Sequence, residues 1–346
     1  MSKGPDFNKP GIKVRKGFYI LFKIMFSFNS AAYYVLWLKF LQIVLLPVDY
    51  LFLWIEKLTK ETKSDSNIPI LFVVGIQRTG STLVSQFIEK TFSFFPIGNF
   101  NSIFKRSQFF VHCWFSKARK KPNKSYKNYY GISKGIFSIG DCYEVWDKWL
   151  GKNHYVIPND ISEEKINHFK KYFSNLHSTY NKPILTKNNR NSLLLPVFNS
   201  TFKNAFFIVV KRDPVAVIKS TLKASKDFFG SEDLLWGLYP NNEFDTDHYE
   251  NIIEAATVQF LMLDKLLDGQ IKTLDKSSYL IIDYDDFCSN PLQFQNELIE
   301  KLKNKQGFDI GNAVLKEKSF KSSKRLNKIQ IDNQIEEYLV KWKDKI

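Results

Sequence analysis

One apolar run and the glycine-bracketed loop after it constrain the fold of this chain more than any other stretch. Residues 68–89 read IPILFVVGIQRTGSTLVSQFIE, and Ile70–Val74 has the composition of a fully buried strand. Gly75 and Gly80 bracket the loop, and the pattern predicts a helix from Ser81 onwards. A strand that leads through such a loop into a helix N-terminus presents several free backbone N–H groups to one anion.

The side chains of this loop indicate which anion it suits. The two glycines have the spacing of a Walker A motif, but Ser81 stands where that motif requires a lysine. Arg78, Thr79 and Thr82 add hydrogen-bond donors beside the backbone N–H groups. We therefore expect a phosphate or sulfate ligand rather than a nucleoside triphosphate, and the alternative is a structural turn that binds nothing.

Further strands and helices alternate along the rest of the chain. Ala205–Val210, Tyr279–Asp283 and the shorter Pro183–Lys187 read as buried strands. Helical patterns are present at Ser162–Tyr180, Leu193–Phe202, Tyr249–Leu274 and Pro291–Lys303, and from Pro214 to about Lys226. This alternation predicts an α/β fold, with a mostly parallel sheet covered by helices on both faces.

Residues 18–58 form the most apolar and aromatic segment of the chain. Lys23, Lys39 and Asp49 interrupt it, and its longest charge-free run, Ile24–Leu38, is 15 residues long. That length falls short of the roughly 18–20 apolar residues of a membrane-spanning helix. Three interpretations stay open: helices that lie on a bilayer surface, helices that pack on the body of the chain or on a second subunit, and a signal anchor.

The N-terminal segment is predicted to be separate from the α/β region. Pro47 predicts a break between two helices, and the polar stretch 61–67 reads as a linker. We place a basic tail with apolar, membrane-associated or packed helices at residues 1–60 and one α/β domain at 68–346. The oligomeric state is open.

Composition limits the compartment and the partners. The net charge of +15 suits an anionic ligand, nucleic acid or an acidic membrane surface, although a Lys- and Asn-rich composition also produces it. Three widely spaced cysteines indicate no disulfide framework and no metal cluster. We expect a cytoplasmic protein, with a signal-anchored membrane protein as the alternative. No nucleic-acid-binding module is recognisable, so we expect no nucleic-acid partner.

A second polar cluster follows the predicted strand Ala205–Val210. The sequence KRDPVAVIKS places Arg212 at the end of that strand and Ser220 two turns into the next helix. In an open α/β sheet, ligands bind at the carboxyl ends of the strands, so both side chains are expected to face the same ligand as the first loop. The alternative is an Arg212 paired with a surface acid and an exposed Ser220.

Together these motifs resemble those of the sulfotransferases that use 3′-phosphoadenosine 5′-phosphosulfate (PAPS). GIQRTGSTL resembles the 5′-phosphosulfate loop, in the branch with arginine where cytosolic members have lysine. VVKRDPVAVIKS resembles the 3′-phosphate motif, and YLIIDYDDFCSNP at residues 279–291 is similar to a later segment of the family. Order and spacing match over about Ile68–Leu302. The resemblance implies a P-loop-NTPase-like sheet and transfer of a sulfuryl group to a hydroxyl or an amine.

The resemblance also implies a role for each residue of the two motifs. Arg78 is expected to neutralise charge on the phosphosulfate bridge, and Arg212 and Ser220 to hold the 3′-phosphate. The residues expected to cradle the 5′-phosphosulfate are Gln77, Arg78, Thr79, Gly80, Ser81 and Thr82. PAPS is then a co-substrate, and no metal is required. The basic residues 321–325 are a further candidate to close over the 3′-phosphate, with a solvated charge run as the alternative.

Two further catalytic groups are expected near the sulfuryl group. Lys187, in LTKNNRNSLL, resembles the lysine of a K-x-P-x-H element, and we expect it to face the transferring group with Arg190 as an added anion contact. The alternative is a solvated basic turn. For the general base we expect Glu144. Its position against two tryptophans is expected to raise its pKa. The other candidates are Asp141, Asp147 and His154.

Two other functions remain open on the sequence. One is a P-loop kinase or NTPase with Asp283 as its Walker B acid, against which the absent loop lysine argues. The other is a non-enzymatic protein that binds a membrane surface. The acceptor of a sulfotransferase is not specified, and a carbohydrate, a lipid and a small metabolite all fit. The aromatic stretches 92–115 and 227–244 are expected to shape its pocket.

Overall fold

The computed structural model describes most of the chain. The described residues are 19–58, 65–115, 125–158, 160–229, 234–241, 243–311, 319–321 and 329–346. The predicted basic tail at 1–16, most of the predicted linker at 61–67, and residues 322–325 of the predicted basic loop lie outside them.

A five-stranded parallel sheet forms the centre of the described fold. Its strands are β1 (Pro69–Val74), β2 (Phe95–Pro96), β5 (Ile184–Lys187), β6 (Asn204–Lys211) and β7 (Tyr279–Asp283). They lie in the order β2-β5-β1-β6-β7. Every residue of β1 is buried, because the strand is paired on both edges and covered on both faces. A separate antiparallel hairpin joins β3 (Asn128–Tyr129) to β4 (Ile132–Ser133).

Helices cover both faces of this sheet. In chain order they are α1 (Ser30–Val44), α2 (Leu46–Leu58), α3 (Ser81–Thr91), α4 (Asn99–Ile103), α5 (Gln108–Phe115), α6 (Tyr143–Leu150), α7 (Glu163–Tyr180), α8 (Leu195–Thr201), α9 (Pro214–Phe229), α10 (Ile252–Ile271), α11 (Tyr284–Ser289), α12 (Pro291–Lys303) and α13 (Ile329–Lys343). Residues 19–25 are also helical.

Alternate residues of each central strand supply two separate cores. Phe72 and Val74 of β1 face a core with Trp146, Phe173 and Phe198. Leu71 and Val73 face the other core, which α3, α11 and α12 complete. This division is the expected consequence of the two-residue side-chain period of a strand. The predicted α/β fold with a parallel sheet is confirmed.

The predicted helices and strands agree with the structure in most places. β7 and α12 have the predicted bounds, and β6 is one residue longer than predicted at each end. The predicted burial of β7 is wrong, because the strand lies at the edge of the sheet and only Ile282 is buried. The helix predicted over 193–202 differs, because a 3₁₀-helix at Asn189–Leu193 precedes α8. Pro196 explains the late start of α8, since proline is tolerated in the first helical turn and not further in.

The N-terminal helices lie against the α/β body. Leu38 of α1 is buried with Phe100, Ile103 and Phe104. Pro47 lies in the first turn of α2, so the predicted break between two helices is confirmed. Among the described residues, no single helix is long and apolar enough to cross a membrane, although α1 and α2 meet that test as a pair bent by 57°.

Candidate functional site

The loop between β1 and α3 is fixed by contacts at both of its glycines. The Gly75 N–H donates to the Ser192 hydroxyl over 2.8 Å, and that hydroxyl donates back to the Gly75 carbonyl over 2.8 Å. Gly80 precedes α3 with a φ of 94°. A Cβ atom at this position would lie 2.1 Å from the ring of Tyr284, so both the conformation and the close approach require glycine.

The polar side chains of the loop have different surroundings. Thr79 is buried and donates to the Ile76 carbonyl over 2.9 Å. Gln77 is also buried, and its side-chain oxygen accepts the Leu238 N–H over 3.4 Å. Ser81 and Thr82 form the first turn of α3, where backbone N–H groups and the helix dipole favour an anion.

Arg78 extends from the loop towards the helix that follows β6. Its Nε donates to the Ser220 hydroxyl on α9 over 2.8 Å, and its φ of 68° is in the left-handed region. The guanidinium lies 5.0 Å from the ring centre of Tyr130 and 5.8 Å from that of Trp236. Burial lowers the pKa of Arg78, and the charge of Arg212 lowers it further against the opposing effect of Tyr130.

Arg212 lies at the carboxyl end of β6 beside the same loop. Its guanidinium donates to the Arg78 carbonyl over 3.2 Å and lies 4.6 Å from the ring centre of Tyr284. The preceding Lys211 instead bonds Asp264 and Asp268 of α10 over 2.6 and 2.7 Å. Lys211, the last residue of β6, and Arg212, directly after it, therefore contact different neighbours, α10 and the Tyr284 ring.

The structure thus brings Arg78, Arg212 and Ser220 together at the carboxyl edge of β1 and β6. Two guanidiniums, one hydroxyl and the N-terminus of α3 form a donor set for anionic groups. This donor set fits a nucleotide that carries more than one phosphate or sulfate, and it fits PAPS. Among the described residues, no group of three or more His, Cys, Asp or Glu side chains could hold a metal ion.

Lys187 lies at the carboxyl end of the neighbouring strand β5, in register with Val73 of β1. It is buried, and its ammonium donates to the Asp141 carboxylate over 2.6 Å. Burial raises the pKa of Asp141, and Lys187 opposes that effect. The Asn189 N–H also bonds this carboxylate, so Asp141 holds both the lysine and the chain that follows it.

Arg190 does not reach the anion site. It is fully buried, and its guanidinium donates to the Asp147 carboxylate over 2.9 Å and to the Gly151 carbonyl over 2.7 Å. The expectation that Arg190 is an added anion contact is therefore wrong. Its hydrogen bonds instead attach the 3₁₀-helix after β5 to the end of α6.

Glu144 is on α6, beside the N-terminal helix α1. Its carboxylate accepts hydrogen bonds from Lys39 and from the Gln42 side chain. Burial would raise the pKa of Glu144, but the charge and the hydrogen bond of Lys39 outweigh that effect, and the pKa is lowered. The expectation of a raised pKa is therefore wrong. The sequence pattern could not reveal Lys39 as a partner, because it lies 105 residues away in the chain.

His154 and Asp147 form a hydrogen-bonded pair near Glu144. His154 Nε2 lies 2.8 Å from an Asp147 oxygen, and the imidazole stacks on the ring of Tyr143. The half-buried Asp147 also accepts from the buried Arg190, so its carboxylate is held in place beside the imidazole. A histidine that is oriented by a carboxylate is a common arrangement for proton transfer.

A cavity of about 340 Å³ lies beside the anion site. Its walls include Gln77 of the loop, the Tyr130 and Trp236 rings that contact Arg78, and both Glu144 and His154. Pockets of this size accommodate small molecules. The stretch 227–244 contributes Phe228, Trp236 and Leu238 to it, and the stretch 92–115 contributes Asn99 and Ser102.

Sequence reasoning missed three aromatic residues of the site. Tyr130 and Trp236 stack on Arg78, and Tyr284 lies between Gly80 and Arg212. Tyr284 belongs to the YLIIDYDDF segment, so the resemblance marked the segment without indicating the contact. For Tyr130 and Trp236 the only signal was their position among other aromatic residues.

Comparison with known proteins identifies the family. The family model described as "Sulfotransferase family" matches residues 69–305. No curated protein sequence matches the chain. Structural likeness was found to sulfotransferase STF9 from Mycobacterium avium (12% identity, 80% of this chain and 69% of that one, TM-score 0.47). It was also found to sulfotransferase STF1 from Mycobacterium tuberculosis H37Rv (12%, 68% and 68%, 0.44) and to a sulfotransferase domain of the curacin biosynthetic pathway (14%, 81% and 92%, 0.38).

The family match spans well over half of the 346 residues and includes the loop after β1, the strand β6 with the start of α9, and β7. These are the segments on which the resemblance in the sequence rests. The chain therefore belongs to the sulfotransferase family.

Proposed function

We propose that this protein transfers the sulfuryl group of PAPS to a hydroxyl or an amine of its acceptor. The observation that carries the proposal is the hydrogen bond between Arg78 and Ser220. It joins the loop after β1 and the helix after β6 into one cationic site, where a bisphosphorylated nucleotide finds donors for both of its anionic ends. Membership of the sulfotransferase family supports the same reaction class.

The residues of this site divide between the two ends of PAPS. The backbone of Gly80, Ser81 and Thr82, with the N-terminus of α3, holds the 5′-phosphate, and Gln77 and Thr79 keep the loop in shape through their buried hydrogen bonds. Arg212 and Ser220 hold the 3′-phosphate. PAPS supplies a sulfuryl group joined to a good leaving group, and Arg78 stabilises the negative charge that develops where that bond breaks.

Lys187 is proposed to act beside Arg78 on the sulfuryl group. Asp141 keeps its ammonium at the end of β5, next to the loop after β1. A buried cation held in this way needs no reorientation when charge develops in the transition state. Asp141 is then a positioning residue, because its carboxylate is buried and already bonded to Lys187 and to the Asn189 N–H.

Glu144 is proposed as the general base. It lines the cavity beside the anion site, and its lowered pKa keeps it in the carboxylate form that can accept a proton at neutral pH. A second candidate is His154, which lines the same cavity and is oriented by Asp147. The hydrogen bond to Asp147 favours this alternative because it orients the imidazole. Histidine is also the most frequent general base in enzymes.

We also propose that the protein works at the cytoplasmic surface of an anionic membrane, with α1 and α2 on the bilayer. Apolar side chains recur at helical spacing on the outward faces of the two helices. They include Phe40, Ile43, Trp54 and Leu58, each more than half exposed. Asp49, an acid of this segment, is buried, whereas Lys57 is exposed. Apolar side chains next to cations suit a surface of anionic lipids.

The proposed reaction can be tested by following the nucleotide product of PAPS. Full-length protein is incubated with PAPS and a panel of hydroxylated acceptors, and adenosine 3′,5′-bisphosphate is measured with and without acceptor. We expect acceptor-dependent release, lowered about 100-fold in Arg78→Ala because a charge-stabilising donor is lost. Hydrolysis of ATP–Mg²⁺ without any use of PAPS would contradict the proposal in favour of a P-loop kinase or NTPase.

A further inference from the structure

The N-terminal helices form part of the wall of the cavity beside the anion site. Residues 19–58 lie outside the matched family region, which begins at residue 69. The side chains that these residues contribute to the cavity are Ile20, Ile24, Val35, Leu38, Lys39 and Gln42. Most of them are apolar, so the part of the chain that the family match does not cover adds an apolar wall.

This wall is connected to the catalytic side of the cavity by an ion pair. The Lys23 ammonium donates to an Asp227 oxygen over 2.5 Å, and the other oxygen of Asp227 accepts the Tyr130 hydroxyl. The Arg78 guanidinium in turn lies over the ring of Tyr130. The helical stretch at 19–25 is therefore held against the aromatic residues that position Arg78.

The α/β body also contributes apolar side chains to the cavity. Tyr130, Phe228 and Trp236 line it. The polar side chains of the lining include Asn99, Glu144 and His154. Gln77 lies in both the cavity wall and the loop after β1, so the cavity adjoins the anion site. A ligand that fills this space buries an apolar body between the two walls and keeps one polar end near Arg78, as small-molecule pockets commonly require.

We infer that the acceptor is an amphipathic alcohol, with an apolar chain or ring system held between the N-terminal helices and the α/β body. The inference rests on the sulfuryl transfer proposed above. In the reaction, the acceptor oxygen forms a bond to sulfur while the bond from sulfur to the bridging oxygen of PAPS breaks. The proton of the hydroxyl passes to the general base, and adenosine 3′,5′-bisphosphate leaves with the bond electrons.

A series of primary alcohols tests the inference directly. Transfer from PAPS is measured with butanol, hexanol and octanol, and with glucose as a polar acceptor. We expect KM to fall roughly fourfold for each added methylene, from the free energy of removing one methylene from water. Equal KM values along the series, or preferred transfer to glucose, would overturn the inference.

A variant that fills the cavity supplies the second arm of the test. Val35→Trp places a large ring in the apolar wall, and we expect it to raise the KM for octanol at least tenfold and to leave the affinity for adenosine 3′,5′-bisphosphate unchanged. The control is Val340→Trp, the same exchange at an exposed position of α13. An unchanged KM for octanol in Val35→Trp would contradict the proposed wall.

The two proposals fail in different ways. If the protein does not use PAPS, the wild type binds no adenosine 3′,5′-bisphosphate and transfers nothing to any acceptor. If only the acceptor class is wrong, bisphosphate binding persists while the alcohols give no transfer or show no dependence on chain length.

Discussion

Gly80 occupies a position where no other residue fits without a change in its neighbours. Its φ is 94°, and an added Cβ atom meets the Tyr284 ring on which Arg212 lies. We therefore predict that Gly80→Ala lowers the free energy of unfolding by about 1–3 kcal/mol, through overpacking and backbone strain. It should also weaken binding of adenosine 3′,5′-bisphosphate, measured by titration calorimetry.

Gly269 provides the matched control for that exchange. It lies inside α10, and a Cβ atom there would meet nothing within 4 Å. Gly269→Ala should raise the free energy of unfolding by about 0.5–1 kcal/mol, because alanine loses less conformational entropy in a helix. Equal effects of the two exchanges in denaturant unfolding would contradict the tight contact at Gly80.

We predict the pH dependence of transfer from the lowered pKa of Glu144. Lys39 lowers the pKa of this carboxyl group, so the base is active at neutral pH, and the rate falls only when the pH drops below the ordinary carboxyl range. Removal of the ammonium in Lys39→Met raises the pKa of Glu144 and moves this acid limb to higher pH. Glu144→Gln should lower kcat about 10²–10⁴-fold.

Substitution of His154 separates the two candidate bases, since only Glu144 is paired with Lys39. If His154→Asn lowers kcat as much as Glu144→Gln was expected to, and Lys39→Met leaves the acid limb in place, the assignment of Glu144 is wrong.

The helices α1 and α2 are attached to the body through a buried acid as well as through apolar packing. Asp49 of α2 accepts the Ser107 hydroxyl over 2.7 Å and the Ser107 N–H over 3.0 Å. We predict that Asp49→Ala lowers the free energy of unfolding by about 2–4 kcal/mol, because it leaves buried donors without their acceptor. Denaturant unfolding measures the change.

Limited proteolysis locates the effect of that change. We expect the N-terminal helices of Asp49→Ala to be cut faster than those of the wild type, while Asp344→Ala, at an exposed C-terminal position, leaves both stability and cleavage unchanged. Cleavage spread evenly over the variant would show that Asp49 does not serve as a local attachment.

Strands and helices could be predicted from the sequence wherever the pattern is local. The runs that became β1, β6 and β7 are short, apolar and followed by helix-starting residues, so each was recognisable alone. The inward and outward faces of α1 could not be separated, because both are apolar and the partners of the inner face, such as Phe100 and Phe104, are remote in sequence.

The same distinction applies to the candidate site, where residues in short motifs were predicted and contacts between residues distant in sequence were not. Arg212, Ser220 and the loop around Arg78 were predicted because each belongs to a short motif. The pairing of Asp141 with Lys187, the Lys39 contact to Glu144 and the burial of Arg190 depend on residues that the fold brings together over tens of positions. No spacing rule in a single sequence carries that information.

The net charge of the whole protein and the apolar outward face of α1 predict that it binds vesicles. We expect the full chain to sediment with vesicles of phosphatidylcholine and phosphatidylglycerol and to be released by salt, since its net charge is +15. Phe40→Glu together with Ile43→Glu should abolish sedimentation, because both side chains lie on the outward face of α1. Val340→Glu, on exposed α13, is the control.

A self-association surface is the competing use of the same apolar face. If light scattering finds a stable dimer that the Phe40 and Ile43 exchanges dissociate, and vesicles retain none of the wild type, the membrane proposal is wrong.

The most direct test of the proposed site compares adenosine 3′,5′-bisphosphate with adenosine 5′-monophosphate by titration calorimetry. We predict that the wild type binds the bisphosphate roughly 10- to 100-fold more tightly, from the charge-assisted hydrogen bonds to the 3′-phosphate. Arg212→Ala should remove this preference, and Lys211→Ala, the adjacent cation that faces α10, should retain it. Equal affinity of the wild type for the two nucleotides, or an unchanged preference in a folded Arg212→Ala, would contradict the site.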